Sequence, residues 1–160
     1  MDEPRRDDRI ASLLPGGLAK LVPELDVRDL SDSLAFWRDV IGFRVAYARP
    51  EDGFAFMERD GAQVMLCQVN GNWETAPLER PHGRGVNLQI IVREIAPLLD
   101  ELAARSWPLF RGPQDAWYRS EASEIGLRQF LVQDPDGYLL RFAECLGTRA
   151  IIPAGSESSR

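Results

Sequence analysis

Hydrophobic and polar positions along this chain run in two rhythms, and the pair of rhythms occurs twice. Over residues 20–27 apolar and polar side chains alternate, the period of a strand with one buried face. Leu34, Trp37 and Ile41 then recur at helical spacing; Asp29 or Ser31 can cap the start of that helix, and Gly42 ends it. Strand patterns return at 43–49, 53–59 and 62–69. A second unit begins at Val86, with a strand to Val92 and a helix over 94–106 that tolerates Pro97 in its first turn. Strand patterns at 108–111, 115–119, 127–133 and 138–144 complete it.

The two units also share local sequence. Val27-Arg28-Asp29-Leu30 opens the first helix, and Val92-Arg93-Glu94-Ile95 opens the second 65 residues later. Each unit carries a tight hairpin turn, Arg59-Asp60-Gly61 in the first and Asp134-Pro135-Asp136-Gly137 in the second. A match at fixed offset is the mark of a duplicated supersecondary unit. The order of elements predicts βαβββ twice, an α+β fold of mixed sheets rather than a doubly wound sheet, and the polar strand faces described next add the reading of curved mixed sheets with a ligand groove. Residues 1–17 read as a flexible arm and 147–160 as a flexible tail. Residues 18–146 read as one domain of two modules, about 18–70 and 85–146, joined by a Gly-, Pro- and charge-rich linker over 71–84.

Strand parity sorts side chains by face. Leu25 and Val27 point one way and Val22, Glu24 and Asp26 the other; Leu88, Ile90 and Val92 point one way and Asn87, Gln89 and Ile91 the other. The apolar sets are expected beneath the two helices. Leu139, Arg141 and Ala143 share a face of the last strand. The faces carrying Glu24, Gln89 and Arg141 are either solvated or line the groove.

Bulk properties narrow the partners. A net charge of −6 argues against a nucleic-acid backbone and favours a cationic ligand. No apolar run reaches the roughly 20 residues of a membrane helix, and the first residues lack the apolar segment of a signal peptide. Cys67 and Cys145 fall in strand patterns and form no CxxC pair, which points to a reducing cytoplasm. His82, the single histidine, lies in the linker and reads as a surface residue. No Ser/His/Asp set is suggested, and Gly83-Arg84-Gly85 lacks the rest of any phosphate loop.

Three segments carry a family likeness. Pro23-Glu24-Leu25-Asp26-Val27-Arg28-Asp29-Leu30, then Ser33-Leu34-Ala35-Phe36-Trp37-Arg38-Asp39-Val40-Ile41-Gly42-Phe43, then Arg128-Gln129-Phe130 with Asp134-Pro135-Asp136-Gly137-Tyr138-Leu139-Leu140-Arg141-Phe142 resemble the glyoxalase/bleomycin-resistance family of the vicinal oxygen chelate superfamily. The last segment is similar to the signature of its bleomycin-resistance branch.

The resemblance implies where a metal would sit, and the residues there fit it poorly. The four metal-ligand positions fall on Val22, Met65, Asn87 and Arg141. Valine offers no donor, a thioether is soft and weak, and a guanidinium is a permanent cation. A bound divalent ion needs three or four donors. The expectation is therefore no metal, no cofactor and no catalytic residue.

What the resemblance then implies is a homodimer whose clefts sequester a small molecule, a bleomycin-type antibiotic in the branch resembled, between aromatic side chains and acidic groups. Carried over by position, the cleft would use Tyr47 and Phe54, and the strand faces add Glu24, Gln89 and Arg141. The branch's cleft tryptophan is replaced by Gly126-Leu127, for which Trp117 or Trp73 could substitute, whereas Trp37 belongs to the core stripe. Arg141 invites an anionic or carbonyl-bearing ligand, or else pairs with Glu24 or another acid. The alternative is a superfamily enzyme of glyoxalase, lyase or dioxygenase type with a non-standard site.

Overall fold

The computed structural model describes residues 12–151; the remainder of the expected arm and tail lies outside them. In the first module β1 (Glu24–Val27) leads to α1 (Leu30–Leu34), then β2 (Arg44–Arg49), β3 (Phe54–Arg59) and β4 (Ala62–Gln68). In the second, β5 (Asn87–Ile91) leads to α2 (Ala96–Ala104), then β6 (Leu109–Ser120), β7 (Ser123–Gln133) and β8 (Leu139–Ala150). The sheets have matching orders, β1-β4-β3-β2 and β5-β8-β7-β6, each with one parallel pair at its start. This is the α+β duplication that the two rhythms predict.

Local chemistry explains the elements. Asp29 caps α1, its carboxylate accepting from Asp32 N–H at 3.0 Å. Over Ala35–Val40 the helix opens to wider turns, with Ile41 N–H donating to Phe36 C=O five residues back. Such widening shifts the stripe so that Phe36, Trp37, Val40 and Ile41 all face inward. Gly42 follows at a left-handed φ of 72°.

One core runs through both modules. Leu25, Val27, Phe36, Trp37, Met57 and Leu66 from the first pack with Ile90, Leu98, Leu102, Phe130, Leu140 and Phe142 from the second. The helix-side faces of both sheets are thus spent on a shared interior, and the opposite faces are left open. The Asp134–Gly137 turn locks the modules together. Trp37 Nε1–H donates to Asp134 Oδ2 at 3.2 Å, and Arg28 Nε–H to Asp136 Oδ1 at 2.9 Å. Tyr138 O–H donates to the Asp26 carbonyl at 3.0 Å.

Four sequence expectations are corrected. β1 starts at Glu24 rather than residue 20, so Val22 precedes it. The strands expected at 108–111 and 115–119 are one strand, β6; register shifts on either side of Arg111 accommodate Pro113, which an edge strand tolerates. β8 continues to Ala150 because Ser123–Gly126 of β7 supplies partners for Gly147–Ala150. His82 is buried rather than on the surface: its N–H donates to the Asp136 carbonyl at 3.0 Å and its ring meets Tyr138 edge-on at 5.6 Å.

Candidate functional site

Alternation places Phe54 and Phe56 of β3, and Met65 and Cys67 of β4, on the open face of the first sheet. A register shift between Val45 and Tyr47 turns Tyr47 onto the same face. Tyr47 stacks on Phe56 at 5.0 Å and 19° and approaches Phe54 at 6.0 Å. The Arg49 guanidinium lies 3.8 Å above the Phe54 ring, and its Nε–H donates to Asp52 at 2.8 Å. Glu24 stands beside Met65 across the parallel pair.

These residues enclose a cleft of about 510 Å³. Glu24, Tyr47, Arg49, Asp52, Phe54, Met65 and Cys67 line it, and Asn70, Asn72 and Trp73 of the following segment form its rim. Trp73 is 69% exposed, an indole held over the mouth with little of its surface covered. Leu14 covers the neighbouring stretch of this face, packed with Ala46, Phe54, Phe56 and Cys67 and only 2% exposed. Gln63 pins that segment twice: Ala19 N–H donates to its Oε1 at 2.8 Å, and its Nε2–H donates to Gly17 C=O at 2.7 Å.

The electrostatics of the cleft suit binding better than bond making. Burial pushes the Cys67 thiol above its usual range, and Glu24 and Asp26 push it further. It therefore stays protonated and is a poor nucleophile. Burial, with Glu74 nearby, also raises Asp26, and its histidine neighbour His82 offsets this in part.

The second sheet presents the other expected residues. Gln89 and Arg141 are cross-strand partners on its open face. Gln129 lies on the same face, buried, with its Nε2–H donating to the Tyr118 hydroxyl at 2.6 Å. Trp117 is on the opposite, helix-side face. Its ring packs over Gly126, where a Cβ would come within 2.7 Å of it, and the Arg149 guanidinium lies 4.1 Å above it. Trp117 is thereby removed from the expected cleft: being adjacent to Tyr118, it must point the other way.

Of the six expected binding residues, the structure brings Glu24, Tyr47 and Phe54 into one cleft. Gln89 and Arg141 stand together on the other module. Sequence reasoning missed Arg49 and Cys67 as cleft members. The alternation of Met65 and Cys67 on β4 already pointed to the second, whereas Leu14 carries no local signal at all.

The four metal-ligand positions implied by the resemblance can now be judged by chemistry. Met65 packs with Val22 against the apolar cluster, and Arg141 is cationic. Among the described residues no group of three His, Cys, Asp or Glu side chains could hold a metal ion. The donor set does not fit a divalent ion.

Comparison with known proteins finds similar structures, and the first two agree with the architecture. TioX from Micromonospora sp. ML1 is 22% identical, with a TM-score of 0.62 over 81% of this chain and 100% of that one. A lactoylglutathione lyase from Agrobacterium tumefaciens is 19% identical, with a TM-score of 0.53 over 79% of this chain and 92% of that one. A superfamily member from Vibrio splendidus 12B01 is 36% identical over 77% of this chain and 95% of that one, with a TM-score of 0.35. No curated protein matches. Residues 20–142 match the family described as Glyoxalase/Bleomycin resistance protein/Dioxygenase superfamily, and the chain belongs to it.

Proposed function

We propose that this chain is a non-catalytic binding protein that sequesters a planar, cationic small molecule. A bleomycin-type antibiotic is the first ligand to try. One observation carries the reading: Tyr47, stacked on the buried Phe56 ring, lines one cleft with Phe54 and the Glu24 carboxylate, beside a thiol that burial keeps protonated. Aromatic faces offer stacking to a planar ligand, and carboxylates offer charge complementarity to its cation. The net charge of −6 adds a favourable field for a cation. Nothing in the donor set supports metal-dependent isomerase or dioxygenase chemistry.

In this proposal the protein acts as a cytoplasmic homodimer, as the branch resembled does, with a second copy closing each open cleft. The test is a fluorescence titration of the full chain with metal-free and copper-loaded bleomycin, repeated on Trp73→Phe to assign the signal to the rim indole. Saturable binding at about one drug per chain supports sequestration. Binding that a chelator abolishes and a divalent ion restores would overturn the metal-free reading, and the absence of saturable binding to either form would remove bleomycin as the ligand.

A further inference from the structure

The open face of the second sheet holds a guanidinium with no counterion among the described residues. Arg141 is partly buried, its Nε is sealed from solvent, and among the described residues it makes no ion pair and no side-chain hydrogen bond. Beside it Gln129, only 3% exposed, leaves its Oε1 unpartnered. Arg141 pairs with Gln89 and Leu131 across the strands, and Gln129 with Ala143, so Gln129 is a diagonal neighbour of Arg141. Buried polar groups are rarely left without partners, and two on one patch mark a place where a partner is missing.

The rest of that face is built for an anion. No Asp or Glu occurs over 87–91, 127–133 or 139–143, although the chain holds 25 acidic residues. On β6 the one acid near the patch, Asp115, points to the opposite face, where Arg128 Nε–H donates to it at 2.7 Å. The polar neighbours are amides, a phenol and a second cation: Asn87, Gln89, Gln114, Gln129, Tyr118 and, across Leu131, Arg111. The Tyr118 hydroxyl accepts from Gln129, which leaves its own proton free to donate outward. Tyr118 is 43% exposed and Gln89 is exposed, so both reach a ligand arriving from solvent.

We infer that Arg141, with Gln89 and Tyr118, forms a binding site for a small carboxylate or phosphate on the open face of the second sheet. The guanidinium fork matches two oxyanion oxygens, and the amide and phenol supply further donors. Gln129 sets the Tyr118 hydroxyl and is a positioning residue. The site stands whether or not the first cleft binds a cation.

The experiment is thermal unfolding of the full chain in sodium malonate or sodium phosphate, against sodium chloride at equal ionic strength. For the wild type a saturable rise in midpoint is expected with malonate or phosphate and not with chloride, as a ligand specific to the folded state requires. Arg141→Met should lose the response while melting, without anion, at or above the wild-type temperature, because an uncompensated charge has been removed. Arg141→Lys should keep it with about tenfold weaker affinity, the loss of one fork contact. A preference for one probe separates a carboxylate from a phosphate ligand. Equal responses in wild type and Arg141→Met, or no response in either, overturn the site. So does dimer dissociation by both Arg141→Met and Glu24→Gln, which would make a second copy's carboxylate the missing counterion.

Discussion

Asp134 should make this protein more stable in mild acid than at neutral pH. Its carboxyl is 3% exposed and lies at the junction of the modules, accepting from Trp37 Nε1–H at 3.2 Å, Asp136 N–H at 3.0 Å and Tyr138 N–H at 2.9 Å. Burial outweighs these donors and raises its pKa from 3.8 to about 6. The folded state then holds the proton more tightly than the unfolded state does. Stability is fullest below about pH 4 and falls as pH rises to about 6, above which both states are ionised and the cost is constant. A gap of about two pKa units corresponds to about 3 kcal/mol, an order-of-magnitude figure.

The assay is urea unfolding of wild type and Asp134→Asn at a series of pH values. Asparagine can still accept from the two backbone N–H groups, but it sets a donor against the Trp37 indole, a loss independent of pH. Other titrating groups act in both proteins, so the pH-dependent part of the difference belongs to Asp134. From roughly pH 4.5 to roughly pH 7.5 the wild type should lose about 2 kcal/mol relative to the variant. Trp37, fully buried against the carboxyl, should report the same titration by fluorescence with a midpoint near pH 6. A difference that stays flat across this range, or one that grows in the wild type's favour with rising pH, would refute the argument.

Two further substitutions separate binding from folding. Tyr47→Ala removes a half-buried stacking surface and should weaken bleomycin binding about tenfold with a small shift in the urea midpoint, whereas Phe54→Ala, at a 4% exposed core position, should cost about 3–5 kcal/mol of stability and is a poor probe of affinity. Gly126→Ala should cost about 1–3 kcal/mol in urea unfolding, because its Cβ would meet the Trp117 ring at 2.7 Å and displace it from beneath Arg149; an unchanged midpoint would show that the ring is free to move.

The duplication was legible because it is written in local signals: helix caps, the alternation of strands and two hairpin turns. Trp37 could be assigned to the core from its helical spacing alone. Trp117 could not be placed that way. It and Tyr118 are adjacent, so one must face each way, and the choice depends on the pairing of Trp117 with Gly126 and of Gln114 with Gln129. His82 was opaque for a related reason. Its burial comes from the Asp134–Gly137 turn, which reaches it from the far end of the second module, and no pattern within the linker announces that contact. Leu14 likewise owes its burial to Phe54, Phe56 and Cys67, all distant in sequence.

The paired strands explain why a divalent metal ion is a poor fit for this chain's open faces. Glu24 sits across from Met65, and 65 residues later Gln89 sits across from Arg141, the same place in each module. In one module that place offers a carboxylate beside a soft thioether, and in the other an amide beside a fixed cation. Two oxygen donors split between two modules do not make a coordination shell, and the guanidinium opposes any divalent charge brought near it. On the proposed reading the first sheet would meet a cation with an acid beside aromatic rings, and the second would meet an anion with guanidinium and amide groups.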